Sequence, residues 1–239
     1  MKVDILAFGA HPDDVELGCG GTISKAVSEQ KTVGIVDLTQ GEMGTNGSAP
    51  IRIKEAKEAA NILGVKFRKN LEFRDAYFKN DEDHQNKVIQ ILRLHQPEIV
   101  LCNAIEDRHI DHGKGSSLVS DSCFLSGLRK VKTYDKNGKE QSSWKPKGVY
   151  HYIQWKDIEP NVVVDISEFL EQKIIAVNAF SSQFSSKDKS FKPTPISSKN
   201  FIESISYRAK NLGRLIGTDA GEGFVCERFP AVKSITDLI

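Results

Sequence analysis

The 239 residues are 39% hydrophobic and 27% charged, the balance of a water-soluble globular chain with room for one large α/β domain or two small ones. A formal net charge of +1 removes the electrostatic case for nucleic acid or an anionic membrane as a partner, and no apolar run reaches the length of a membrane span. The opening MKVDILAFGAH lacks the length and cleavage site of a secretory signal. Cys19, Cys102, Cys123 and Cys226 form no CxxC pair, so the expected compartment is a reducing cytoplasm.

The first element is a buried strand. Val3, Ile5, Leu6, Ala7 and Phe8 are nearly all apolar, as a central parallel strand requires. It breaks at Gly9 and delivers His11, Pro12, Asp13, Asp14 and Glu16 in quick succession, before a Gly-rich turn over Gly18, Cys19, Gly20 and Gly21 and a helix from about Thr22 to Glu29. An N-cap uses one carboxylate and does not explain an imidazole and two carboxylates at a strand end. A metal site does. Catalytic zinc takes imidazole nitrogen and carboxylate oxygen and keeps one position open for water. His11 and Asp14, three apart in a turn, both face one ion. Asp13 lies between them, points elsewhere, and is placed to take a proton from the attacking water.

A second strand, Val33 to Leu38, ends in a Gly-rich loop, Thr39-Gln40-Gly41-Glu42-Met43-Gly44, leaving the same edge of the sheet. A helix follows over about Arg52 to Leu63, with Ala56, Ala59, Ala60 and Leu63 inward and Gly64 as its stop. A short strand covers Lys66 to Leu71, Asp75 to Asp83 is polar and irregular, and Val88, Ile91, Leu92 and His95 have helical spacing up to Pro97. The apolar strand Glu98 to Cys102 runs into Glu106-Asp107-Arg108-His109-Ile110-Asp111-His112 and a helix from about Gly113 to Leu128. The charged stretch Lys130 to Lys147 has the look of an exposed excursion or lid edge. Late strands are expected at Val149 to Trp155 and Val162 to Asp165. Helices are expected at Ser167 to Ser181, with Ser167 as N-cap, and at Asn200 to Leu215; Gly217 to Cys226 is Gly-rich.

The alternation predicts a single domain over residues 1–239. It is an α/β, Rossmann-like, mostly parallel sheet with helices on both faces. In the common order 3-2-1-4-5, strands 1 and 4 are neighbours, and the active site falls at their C-terminal ends, where the winding reverses. Both His/Asp clusters follow those two strands. Of the second pair of imidazoles, His112 is nearer the helix, better fixed, and the choice for third ligand. His109 is then free to stabilise an oxyanion and protonate a leaving group, and Asp111 to orient an imidazole. His84, His95 and His151 stand alone, His151 being the candidate among them to line a pocket. A dinucleotide-binding reading fails because Ile23 stands where the third glycine belongs and two aspartates would repel a pyrophosphate. A non-catalytic sugar-binding module would be expected to lack Asp13 or a ligand, and none is missing.

AHPDDVE followed later by H-x-D-H resembles the zinc-dependent N-acetylglucosaminyl deacetylases of the LmbE or PIG-L type. The resemblance extends through Thr39-Gln40-Gly41-Glu42, Arg52 with Glu55, Ser182-Gln183-Phe184 and Glu222-Gly223-Phe224. It is nearest to the bacillithiol-biosynthesis deacetylases, which act on N-acetylglucosaminyl malate. The family often has Pro where this chain has Ile110, a change in loop stiffness and not in a ligand. The resemblance implies Zn²⁺ on His11, Asp14 and His112, with Fe²⁺ or Co²⁺ suited to the same donors. It also implies Asp13 as base, His109 as electrostatic and acid partner, Arg52 and Arg108 facing an amino-sugar conjugate, and a homo-oligomer, commonly a hexamer. Arg52 then has two readings, a bidentate clamp on a substrate carboxylate or a pair with Glu55.

Overall fold

The computed structural model describes residues 1–184 and 191–238. Five strands, β1 (Ile5–Gly9), β2 (Val33–Thr39), β3 (Phe67–Phe73), β4 (Ile99–Cys102) and β5 (Gly148–Tyr152), are parallel, as the alternation predicts. Two more, β6 (Val162–Asp165) and β7 (Gly221–Cys226), extend the sheet through antiparallel β5–β7 and β7–β6 pairings, so that β7 alone among these seven strands is reversed, giving the order β3-β2-β1-β4-β5-β7-β6. The helices are α1 (Asp14–Ser28), α2 (Ala49–Leu63), α3 (Glu82–His95), α4 (Ile110–Ser126), α5 (Leu170–Asn178), α6 (Ser181–Phe184) and α7 (Lys199–Leu215).

Period-two alternation divides β1 between two cores. Leu6 and Phe8 pack with Val36 and Val100 against Leu92 of α3 and Leu118 of α4. Ala7 packs on the other face with Ile35 and Leu101 against Val15 and Ile23 of α1, Leu63 of α2 and Ala176 of α5. The loops after β1 and β4 therefore leave the sheet towards opposite faces, and the crevice between them is open.

Several elements differ from expectation for definite reasons. α1 begins at Asp14, so the Gly-rich stretch is helical, but its backbone breaks at Cys19 (φ −144°, ψ 22°). The glycines there serve close approach: a Cβ on Gly18 would lie 2.1 Å from the Tyr152 ring, whose hydroxyl donates to Phe8 O. The half-helix after the break is capped from outside. Glu222 accepts from Gly21 N at 3.0 Å and Thr22 N at 2.6 Å, and pairs with buried Lys173 at 2.6 Å. The Glu222-Gly223-Phe224 stretch is thus an internal brace, and β7 was hidden by glycines that normally weaken strands. Ser167 opens a 3-10 turn instead of capping α5, with Asp165 accepting from its N–H and hydroxyl. Residues 130–147 are not at the catalytic edge. Trp144 Nε1 donates to Pro97 O and Lys147 N to Glu98 O, which fixes the segment at the opposite, N-terminal end of β4.

Removing one member of a buried ion pair leaves the other desolvated and alone, at a cost of about 3–5 kcal/mol. Glu222→Ala also uncaps two amides, so it is expected to lower unfolding free energy by about that amount, read from the urea midpoint of the purified protein. A shift no larger than that of an exposed Glu→Ala control would remove Glu222 from the framework.

Candidate metal centre and active site

Asp14 sits between two imidazoles. Its Oδ1 is 3.1 Å from His112 Nε2 and its Oδ2 is 3.5 Å from His11 Nδ1. Each imidazole is held from behind by another carboxylate. His11 Nε2 meets Asp75 at 3.0 Å and Asp111 at 3.5 Å, while His112 Nδ1 meets Asp107 at 2.5 Å. Metal-ligating histidines characteristically turn the second ring nitrogen to a carboxylate in this way. His109 joins the group, its ring edge-on to His11 at 4.6 Å and stacked on His112 at 5.2 Å. One nitrogen from each of His11, His109 and His112 lies within 4.8 Å of the others, and His11 shares a second such cluster with Asp75 and Asp111.

The electrostatics follow from this packing. Burial pushes the His11 pKa down, but Asp111, Asp14 and Asp75 hold it well above its ordinary value. Burial opposes His112 too, but Asp14 and Asp107 raise it to about 9. Asp14 feels burial upward but is kept well below the usual carboxylate range by His112 and His11. A carboxylate that stays ionised between imidazoles is the donor set of a divalent cation such as zinc. His109 moves the other way, lowered by burial and by the charge on His11 and His112. Asp111 N donates to its Nδ1 at 3.3 Å, so neutral His109 carries its proton on Nε2.

Asp13 has φ 118°, a left-handed conformation that costs a non-glycine residue about 1–3 kcal/mol and tends to mark functional positions. Burial pushes its carboxyl up to about 7, with Arg52 pulling against the shift. Arg52 is itself buried. It donates to Asp13 Oδ2 at 3.0 Å, to Gly41 O at 3.3 Å and to Pro12 O. The Arg52–Glu55 pair does not form. Glu55 instead accepts from Ser181 Oγ, Ser182 N and Ser182 Oγ at the start of α6, and Gln183 Nε2 donates to Asn46 O. The late Ser-Gln-Phe stretch therefore anchors the loop that follows β2. Arg108 is exposed, its guanidinium 4.7 Å over the Trp155 ring; among the described residues those N–H groups have no acceptor.

Arg52, Asp75, Arg108 and Trp155 line one cavity of about 710 Å³ that opens over the His/Asp cluster, within the size range of small-molecule sites. The isolated histidines serve elsewhere. His84 pairs with Asp81, His95 Nδ1 meets Met1 O, and His151 is buried between Ser116 and Glu227 and does not line the cavity. Asp75 and Asp107 went unremarked in the sequence because each stands in an irregular polar segment with no periodicity. Asp75 is 64 residues from His11, which leaves no local signal, whereas Asp107 is only five residues before His112 and lies within the same motif.

Residues 6–123 match the PIG-L family, described as GlcNAc-PI de-N-acetylase. The chain is 31% identical over 191 residues to the diacetylchitobiose deacetylase of Thermococcus kodakarensis, covering 75% of this chain and 70% of the relative. The chain belongs to the PIG-L family. A probable N-acetyl-alpha-D-glucosaminyl L-malate deacetylase 2 of Bacillus anthracis is 26% identical over 196 residues, covering 77% and 82% of the two chains. The N,N'-diacetylchitobiose deacetylase structure from Pyrococcus horikoshii superposes with TM-score 0.80 at 28% identity, covering 98% of this chain and 88% of that one. This PIG-L protein is accordingly an amide-hydrolysing deacetylase with the α/β fold of its relatives. No helix among its described residues is long and apolar enough to cross a membrane.

Proposed function

We propose that this chain is a zinc-dependent N-deacetylase that releases acetate from an N-acetylglucosamine conjugate, with N-acetylglucosaminyl malate of bacillithiol biosynthesis as its substrate. The observation that carries the reading is Asp14 held between His11 and His112, with Asp13 beside them and paired to Arg52.

His11, Asp14 and His112 would hold the ion. A divalent cation there supplies a Lewis acid and lowers the pKa of water from about 15.7 towards about 7. Asp13, buried and poised near pH 7, takes the proton of the attacking water, and Arg52 keeps its carboxylate aimed. His109 presents Nε2–H to the acetyl oxygen as charge develops on it. The C–N bond breaks as the proton held by Asp13 passes to the amine nitrogen, and the remaining hydroxyl proton of the acetic acid is taken up by the free amine, so water and amide become acetate and a protonated amine.

Two aglycones compete. The relatives acting on N-acetylglucosaminyl malate favour a dicarboxylate, and Arg108 is an exposed guanidinium at the cavity wall without an acid partner among the described residues. The relative acting on diacetylchitobiose favours a second sugar. The clamp assigned by resemblance to Arg52 passes to Arg108, because Arg52 is engaged with Asp13. Metal analysis of protein purified without added metal, followed by an acetate-release screen over both conjugates and free N-acetylglucosamine, tests the reading. Acetate release from none of them would sink it.

A charge-assisted hydrogen bond is worth about 1.5–3 kcal/mol. Arg108→Ala is therefore expected to lower kcat/KM for the malate conjugate about tenfold to a hundredfold and to leave the diacetylchitobiose rate unchanged. Arg52→Ala should slow all substrates alike. Equal losses in Arg108→Ala on both conjugates would remove it from aglycone recognition.

A further inference from the structure

Two side-chain amides meet the Asp14 carboxylate, and neither belongs to a recognisable motif. Asn103 follows β4 and is fully buried; Gln154 lies two residues beyond β5 and is buried. Backbone donors determine which way each amide faces. Ala10 N donates to Asn103 Oδ1 at 2.8 Å, so the Asn103 NH₂ turns inward, donating to Asp14 Oδ2 and to Gln154 Oε1, each at 2.9 Å. Ala104 N donates to Gln154 Oε1 at 3.3 Å, so the Gln154 NH₂ also turns inward and donates to Asp14 Oδ1 at 2.9 Å. A flipped amide in either residue would set a carbonyl against the carboxylate and an NH₂ against a backbone N–H.

The lone pairs of Asp14 can then be counted. Oδ2 accepts from His11 N at 2.9 Å and from Asn103, so both of its acceptor directions are occupied. Oδ1 accepts from Gln154 and has one direction left, the one facing His112 Nε2 at 3.1 Å. We infer that Asn103 and Gln154 are positioning residues that dictate how Asp14 meets a metal ion: through Oδ1 alone, with Oδ2 withheld by two N–H donors. The pair couples the ends of β1, β4 and β5, so the ligand direction is set by the sheet and not by the mobile end of a side chain. This rests on the reading of Asp14 as a ligand. It adds that the carboxylate is orientated by amide donors, which is a separate claim.

Loss of such an outer partner typically weakens metal affinity about 10- to 100-fold. The test is zinc affinity by chelator competition, with the absorption spectrum of the Co²⁺-substituted protein as a second readout, on Gln154→Glu and Gln154→Met. Both variants keep approximate size. Gln154→Glu replaces the donor by an acceptor, and Gln154→Met removes polarity altogether. Weaker zinc binding and an altered Co²⁺ spectrum in both, with circular dichroism unchanged, are expected. Wild-type affinity and spectrum in either folded variant would overturn the inference, because a packing role tolerates the exchange and a donor role does not. Asp14→Asn is the control for the underlying reading. If it retained wild-type zinc affinity, Asp14 would not be a ligand at all, an outcome distinct from failure of the amide pair alone.

Discussion

Asp13→Asn is expected to bind zinc as the wild type does and to lose about 10²–10⁴-fold in kcat, the usual worth of a general base. The substitution keeps size and the ability to accept from Arg52, which holds Asp13 Oδ2 at 3.0 Å, but it abolishes basicity. The neighbouring carboxylate is expected to behave differently. Asp14 is ionised between two imidazoles, whereas Asp13 is pushed by burial to about 7, within reach of both protonation states near neutrality. Adjacent residues of one type thus have different chemistry because their carboxylates meet different partners, Arg52 for Asp13 and the imidazoles of His11 and His112 for Asp14. Acetate release and metal content measured on the same preparation check the assignment. Metal loss in Asp13→Asn, with Asp14→Asn fully loaded but inactive, would exchange the two roles.

The second large effect concerns the metal itself. His112→Ala and His11→Ala are each expected to yield folded protein with little bound metal and no measurable turnover. The pH dependence of zinc uptake has a definite sign. Asp14 and Asp107 raise His112 to about 9 against the effect of burial, so in metal-free protein the ring is protonated at pH 7. Ligation needs the neutral ring, so an ion must displace that proton. Zinc affinity should therefore fall as pH falls below about 9, by about tenfold per pH unit for each proton displaced. Asp107→Asn removes one source of the raised pKa, and its affinity should depend less on pH. Chelator competition across pH 6–8 checks this; a flat profile in the wild type would show that the ring is already neutral.

The family resemblance and the site motifs were legible in the sequence because they are local. An apolar strand ending in Gly9 followed by His-Pro-Asp-Asp, and a second ending in His-x-Asp-His, place donors at strand ends whatever the rest of the chain does. The strand and helix alternation carried the parallel pairing for the same reason, since each crossover is a local unit; the order β3, β2, β1, β4, β5 matches the common arrangement expected of such a sheet. Element boundaries depart from the sequence pattern where glycine lies inside an element and does not end it. Gly18, Gly20 and Gly21 are helical and accommodate Tyr152 and Ile166, and Gly221 and Gly223 belong to a strand under α7.

What only the tertiary structure decided is which partner each charged group has. Glu55 lies three residues from Arg52 yet caps α6, while Arg52 reaches back to Asp13 across 39 residues. An exposed i,i+3 pair is worth only tenths of a kcal/mol, whereas an unpartnered buried charge costs several, so long-range pairing prevails once the chain has packed. Asp75, Asp107, Asn103 and Gln154 follow the same rule. Each is an ordinary polar residue in sequence, and each has its place because a buried imidazole or carboxylate needs a partner; the folded sheet brings Asp75, Asn103 and Gln154 within 3 Å or so, and the turn before α4 brings Asp107. Sequence alone singled out His11, Asp13, Asp14, His109 and His112 as one set of candidate residues, because they stand in two short local motifs; packing determined which partners surround each of them and which way they point.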